Sequence, residues 1–73
     1  MKTRKRAVKL CRQLRTMRLR LGLTQMEVAA RADISQNAIS ALELGQNVPA
    51  LDTYFAVLEV LQRAARAAKR HAA

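Results

Sequence analysis

Seventy-three residues bound a single domain with a small core, a size at which stability is slender and a dimer is a reasonable expectation. One Cys and one His exclude an intramolecular disulfide and a self-contained zinc site. A net charge of +9 with a pI near 11.4 points instead to an anionic partner, either nucleic acid or a membrane surface.

That charge is unevenly placed. Residues 1–20 contain nine Lys or Arg and no acid, Arg63 to Arg70 adds four more basic residues, and all five acids lie between Glu27 and Glu59. Residues 1–6 (MKTRKR) have no apolar face and read as a frayed basic arm carrying Arg4, Lys5 and Arg6. Such an arm either wraps a duplex, reaching its minor groove, or is an unstructured solubilising tail. Val8, Cys11, Leu14, Met17, Arg18 and Leu21 then recur at helical spacing, with Leu10 widening the stripe and Lys9, Arg12, Arg15 and Arg20 on the wetter faces. An Arg-rich, acid-free start also fits a transit peptide or a membrane-surface helix. The pattern runs straight into a folded motif with no cleavage-like break, which argues against both. No apolar run approaches the ~20 residues of a membrane span.

Gly22 ends the first helix and Leu23 folds back on the core. Thr24 is the N-cap of the second, and Glu27 three residues later completes a Thr-x-x-Glu capping box. Met26, Ala29 and Ala30 are expected to supply its thin apolar face. Ala32-Asp33-Ile34-Ser35 is the turn, with Asp33 where a left-handed residue is wanted. Ser35 caps a third helix, Gln36 to Leu44, whose inward positions are Ala38, Ile39 and Leu42. Gln36, Asn37, Ser40 and Ala41 face outward, a surface without charge but rich in hydrogen-bonding groups. Gly45 stops that helix, and Gln46-Asn47-Val48-Pro49 is a loop.

A last helix opens at Leu51, with Asp52 favouring its dipole. Leu51, Tyr54, Phe55, Leu58 and Leu61 form one apolar stripe, expected to close the core. Ala56, Val57, Val60 and Ala64 form a second. Nothing after it breaks the helix, so about 20 continuous residues are predicted, ~30 Å long. A helix apolar on two sides usually packs against two things. We therefore expect Val57, Val60 and Ala64 at a dimer or partner interface, with completion of the core as the alternative. Arg66, Lys69 and Arg70 read as a solvated helix end, and Cys11 and His71 as incidental.

Two short helices around a tight turn, supported by a third and clamped by a fourth, describe a helix-turn-helix, in which the second short helix enters the DNA major groove. Amide side chains read adenine there, which suits Gln36 and Asn37, and Ser40 is placed to join them. Free N–H groups at helix starts bind phosphate, giving Thr24, Gln25 and Ser35 a second use. Gln46 and Asn47 are expected on phosphate as well.

Residues 14–61 resemble the phage-repressor (Cro-like, XRE) helix-turn-helix family. The resemblance is carried by Arg18, Leu21-Gly22-Leu23-Thr24-Gln25, Ala29, Ala32-Asp33-Ile34-Ser35-Gln36, Ile39-Ser40 and Glu43-Leu44-Gly45, with Gln36 eleven positions after Gln25. It implies an all-α, four- to five-helix lambda-repressor-like domain with the motif at 25–44 and, here, an extended C-terminal helix. It further implies that Gln25 contacts phosphate and supports Gln36, that Gln36, Asn37 and Ser40 face bases, and that Arg18 and Glu43 form a structural ion pair. Asp33 stands where the family usually has Gly. Gln62-Arg63-Ala64 continues where the family commonly has a Gly and a short fifth helix. Leu51-Asp52-Thr53-Tyr54-Phe55-Ala56-Val57-Leu58 is similar to the corresponding segment of HipB-like antitoxins, small dimeric repressors encoded beside a kinase toxin.

The expectation is one domain over residues 1–73, with a basic arm at 1–6 and a basic tail at 63–73. Its partners would be double-stranded DNA, a second copy, and in the antitoxin reading a toxin protein. No membrane, cofactor, metal or small-molecule substrate is expected, and no catalytic residue, because the chain holds no Ser/His/Asp set, paired carboxylates or phosphate loop. A bacterial or phage-like cytoplasm, at the nucleoid when DNA is bound, is the expected location.

Overall fold

The helical periodicities take shape as four helices in the computed structural model, which describes residues 2–45 and 50–71. They are α1 (Lys2–Arg20), α2 (Gln25–Ala32), α3 (Gln36–Leu44) and α4 (Leu51–His71). Gln46 and Asn47 lie outside the described residues. α1 and α2 each pack on both α3 and α4. Cys11 and Leu14 of α1, Val28 and Ala29 of α2, Ile39 and Leu42 of α3, and Val57 and Leu61 of α4 meet in the core.

Each boundary has a local cause. α1 ends in a Schellman turn: the Leu23 N–H donates to the Arg18 carbonyl at 3.1 Å and the Gly22 N–H to that of Leu19 at 3.1 Å. α2 ends the same way, with Ile34 N–H on Ala29 O at 3.0 Å and Asp33 N–H on Ala30 O at 3.3 Å. Asp33 takes the left-handed conformation at φ 57°, and among the described residues it is the one non-glycine to do so. α2 starts with both halves of its capping box formed, Thr24 Oγ1 accepting from the Glu27 N–H and Glu27 Oε1 from the Thr24 N–H, each at 3.0 Å. Ser35 Oγ caps α3 by accepting the Ala38 N–H at 3.1 Å.

Three expectations are corrected. Arg4, Lys5 and Arg6 do not form a frayed arm, because α1 is helical from Lys2. Lys and Arg are good helix formers, and a helix already nucleated on Cys11 and Leu14 extends at little cost toward its start. Second, the inward face of α2 is Val28 and Ala29; Met26 is 67% exposed and Ala30 is exposed. The capping box sets the phase of this helix. Leu23 and Val28 fall at the two positions that bracket a capped start, where apolar residues pin the entering chain to the core.

Third, α4 is rotated from its expected setting. Val57 and Leu61 are buried and Tyr54, Leu58 and Val60 pack partly against the core, whereas Leu51 and Phe55 are 74% and 56% exposed. Val57, expected at an interface, is a core residue. Tyr54, Val57, Leu58 and Leu61 share one face, and Phe55 falls off its edge, meeting the Tyr54 ring edge-on at 5.3 Å. α4 also runs past the core, and residues 65–70 are all exposed.

Gly45, at φ 67°, closes α3 against the first half of α1. A Cβ there would lie 3.0 Å from Val8 Cγ1, whereas one on Gly22, at φ 71°, would meet open space. Gly22→Ala and Gly45→Ala should each lose ~1–2 kcal/mol to the left-handed backbone. Gly45→Ala should lose more, because its methyl displaces Val8. Urea unfolding of both variants measures the difference, and equal losses would show that Val8 moves aside freely.

Candidate nucleic-acid interface

The site is assembled from α3, the start of α2 and the adjacent side of α1. On α3, Gln36 and Asn37 are exposed in the first turn, Ser40 and Ala41 are half-buried one turn on, and Leu44 is 61% exposed. The opposite face of the helix is held by Ile39 and Leu42, both buried. The result is a helix anchored along one side whose other side presents amides and a hydroxyl.

What fixes its position is a buried charge network. Arg18 Nε donates to Glu43 Oε2 at 2.6 Å and Nη2 to Glu43 Oε1 at 3.0 Å, a two-pronged pair between α1 and α3. A third donor, Nη1, reaches the Leu23 carbonyl at 2.9 Å, so the same guanidinium holds the turn into α2. Gln25 Nε2 donates to Glu43 Oε1 at 3.1 Å, tying the start of α2 to the end of α3. Arg18 and Glu43 are both buried, and no buried side-chain N or O among the described residues lacks a partner. Hydrogen bonding to Glu43 raises the Arg18 pKa further, so the guanidinium stays charged at any working pH.

This network alters the reading of Gln25. Its amide nitrogen is given to Glu43 and not to Gln36, so it positions α3 as a whole. The phosphate candidates are also partly committed to structure. The Thr24 N–H is taken by Glu27, and the Thr24 and Ser35 hydroxyl oxygens accept from the backbone. Each hydroxyl keeps its hydrogen for an external acceptor. The Glu27 carboxylate also sits at the start of α2, where it opposes a second anion.

Arg12 and Arg15 were placed by the sequence pattern only on wet faces. They in fact line a groove of about 550 Å³ between α1 and α3, opposite Ser40 and Leu44 and beside Gln25. The spacing held a signal for this. Arg12, Arg15 and Arg18 follow in steps of three, walking around the helix from the open surface to the buried pair. Val60 and Ala64 line a separate, shallower groove with Arg31 and Arg63, between α2 and α4.

A family model described as helix-turn-helix matches residues 14–66. The chain belongs to that family, the Cro-like (XRE) regulators, and is a DNA-binding helix-turn-helix protein. Comparison with curated proteins and with solved structures returns no match. Among the described residues, no helix is long and apolar enough to cross a membrane.

Two tests follow from the charges. Glu43→Ala strands the buried Arg18 charge and should cost ~3–5 kcal/mol, while Arg18→Met with Glu43→Leu should recover most of it. Chemical unfolding of both variants decides; a mild loss in the single variant would mean that water reaches the guanidinium. The Glu27 carboxyl is held below its usual range, first by the Thr24 backbone N–H and then by the Thr24 hydroxyl. A depressed carboxyl stabilises the fold above its unfolded value of ~4.3, and that contribution fades as pH falls through the folded value. Glu27→Gln should therefore show a flatter melting temperature than the parent below about pH 4.

Proposed function

We propose that this chain is a homodimeric repressor that reads a palindromic operator, with Gln36, Asn37 and Ser40 directed at bases in the major groove. The observation that carries the reading is the outer face of α3. It is uncharged, with the amides of Gln36 and Asn37 exposed and the Ser40 hydroxyl half-buried, and it is held in place by the Arg18–Glu43–Gln25 network on a strongly basic chain. Thr24, Gln25 and Ser35 serve the phosphates beside it, as do Gln46 and Asn47. Two copies place their α3 helices about 34 Å apart, one turn of the duplex. Repression of its own promoter is the simplest role for so small a regulator, in a bacterial or phage-like cytoplasm.

Leu51 and Phe55 replace Val57 as the apolar residues offered to a second chain. They lie one turn apart on α4 and are more than half exposed. They are also two of the residues behind the resemblance to HipB-like antitoxins, and their exposure favours a second reading. In it this surface holds a toxin protein, and DNA binding serves autoregulation. Finding a neighbouring gene for a larger, co-expressed kinase-like protein would support that reading.

The test is binding to the chain's own upstream DNA, with every base pair of the site varied and the mass of the complex measured by light scattering. Gln36→Ala should relax preference at one base pair in each half-site, costing ~1–3 kcal/mol there, with two chains per site. An unchanged preference profile removes Gln36 from the readout, and one chain per site removes the dimer.

A further inference from the structure

The basic start of the chain is a helix, and this changes what its charges reach. Lys5, Lys9 and Arg12 recur at i, i+4 and i+7 on α1 and are all exposed, so they form one stripe along the helix. Arg15, also exposed, lies one turn beyond Arg12, and both arginines line the groove against Ser40 and Leu44. From Lys5 to Arg15 these charges span ~15 Å along the helix axis, turning toward α3 at Arg15.

These charges are uncompensated. Among the described residues, the two salt bridges are Arg18–Glu43 and Arg63–Glu59, and neither involves the stripe. Glu43 is the one carboxylate lining the groove, and its oxygens already accept three donors from Arg18 and Gln25. The Thr16 hydroxyl turns back to the Arg12 carbonyl at 3.2 Å, so on the α1 wall of the groove the guanidiniums are the free polar heads.

We propose that Lys5, Lys9, Arg12 and Arg15 form a helical rail that grips the phosphate backbone flanking the bases read by α3. This rests on the major-groove reading above. The major groove is ~12 Å wide and a helix with its side chains is ~10–12 Å across. A helix seated there leaves no room for a second beside it, so whatever flanks α3 meets backbone. α1 flanks α3 across the groove, and its facing groups are guanidiniums, which bind phosphate in a fork. Because the rail is helical, the basic start lies along the outside of the duplex and does not thread the minor groove as an extended arm. The rail positions the reading helix and contributes no base preference.

The test is the salt dependence of duplex binding, measured by fluorescence anisotropy for the full chain. Arg12→Gln with Arg15→Gln should lower the slope of log K against log salt by roughly 2, about 0.9 for each lost phosphate contact. The base-preference profile should stay as in the parent. Lys5→Gln with Lys9→Gln should do the same. Arg12→Lys with Arg15→Lys should keep the parent slope, since the charge is retained. Glutamine supports a helix about as well as arginine or lysine, and circular dichroism checks that α1 survives. An unchanged slope in both glutamine variants overturns the rail, as does a changed base preference. Gln36→Ala is the converse control, altering preference and keeping the slope. A parent chain that binds no duplex overturns the DNA reading itself, and the rail with it.

Discussion

Three of the four helices take their placement from one carboxylate. Glu43, near the end of α3, accepts from two nitrogens of Arg18 on α1 and from the amide of Gln25 on α2, while Arg18 spends a further donor on the Leu23 carbonyl. A buried pair of this kind is weak evidence for stability, since removing two charges from water costs nearly as much as their attraction returns. Its value here is directional. Apolar contacts among Cys11, Leu14, Ile39 and Leu42 tolerate a helix that slides or turns by a few degrees. A forked guanidinium–carboxylate contact does not, because its two hydrogen bonds are lost together when the planes misalign. The angle at which α3 presents the exposed amides of Gln36 and Asn37 is set by that contact.

The polar groups around α3 are committed first to structure. Thr24 and Ser35 cap the starts of α2 and α3, and each keeps a hydroxyl hydrogen for an external acceptor. Glu27 stabilises the start of α2 and also takes up the Thr24 N–H that a phosphate would otherwise use. The anion-binding capacity of this helix start is therefore reduced. The uncompensated charge is concentrated on α1, on the far wall of the groove beside Ser40. Local capping and long-range electrostatics are divided between different helices.

α4 shows how little a small core specifies in advance. The core is built from few large residues, with Cys11 and Ala29 among the eight buried apolar positions. α4 presents apolar side chains over so wide an arc that more than one rotation would bury a comparable area. Val57 and Leu61 occupy the centre, and the largest apolar side chain of the helix, Phe55, is left mostly outside. The exposed ion pair of Glu59 with Arg63, at i and i+4, adds only a few tenths of a kcal/mol to the helix that extends beyond the core.

Features set by neighbours in the chain were legible from the sequence alone. The capping box of Thr24 and Glu27, the Ser35 cap, the left-handed Asp33 and the glycine stops at Gly22 and Gly45 all depend on residues within a few positions of one another. Their stereochemistry is local, so the end of α1, both ends of α2 and α3, and the all-α class followed from it, whereas the start of α1 at Lys2 did not. The Arg18–Glu43 pair, 25 residues apart, was legible only through family resemblance, because no local rule joins them. What the tertiary structure alone decided was orientation. It turned Val28 inward and Met26 outward, buried Val57 in place of Phe55, took Gln25 away from Gln36 toward Glu43, and set Arg12 and Arg15 against α3. The physical reason is common to these cases. Periodicity states that a helix has an apolar side, but which of several apolar arcs is buried, and which charge it leaves facing a neighbour, depends on the shape of the other helices.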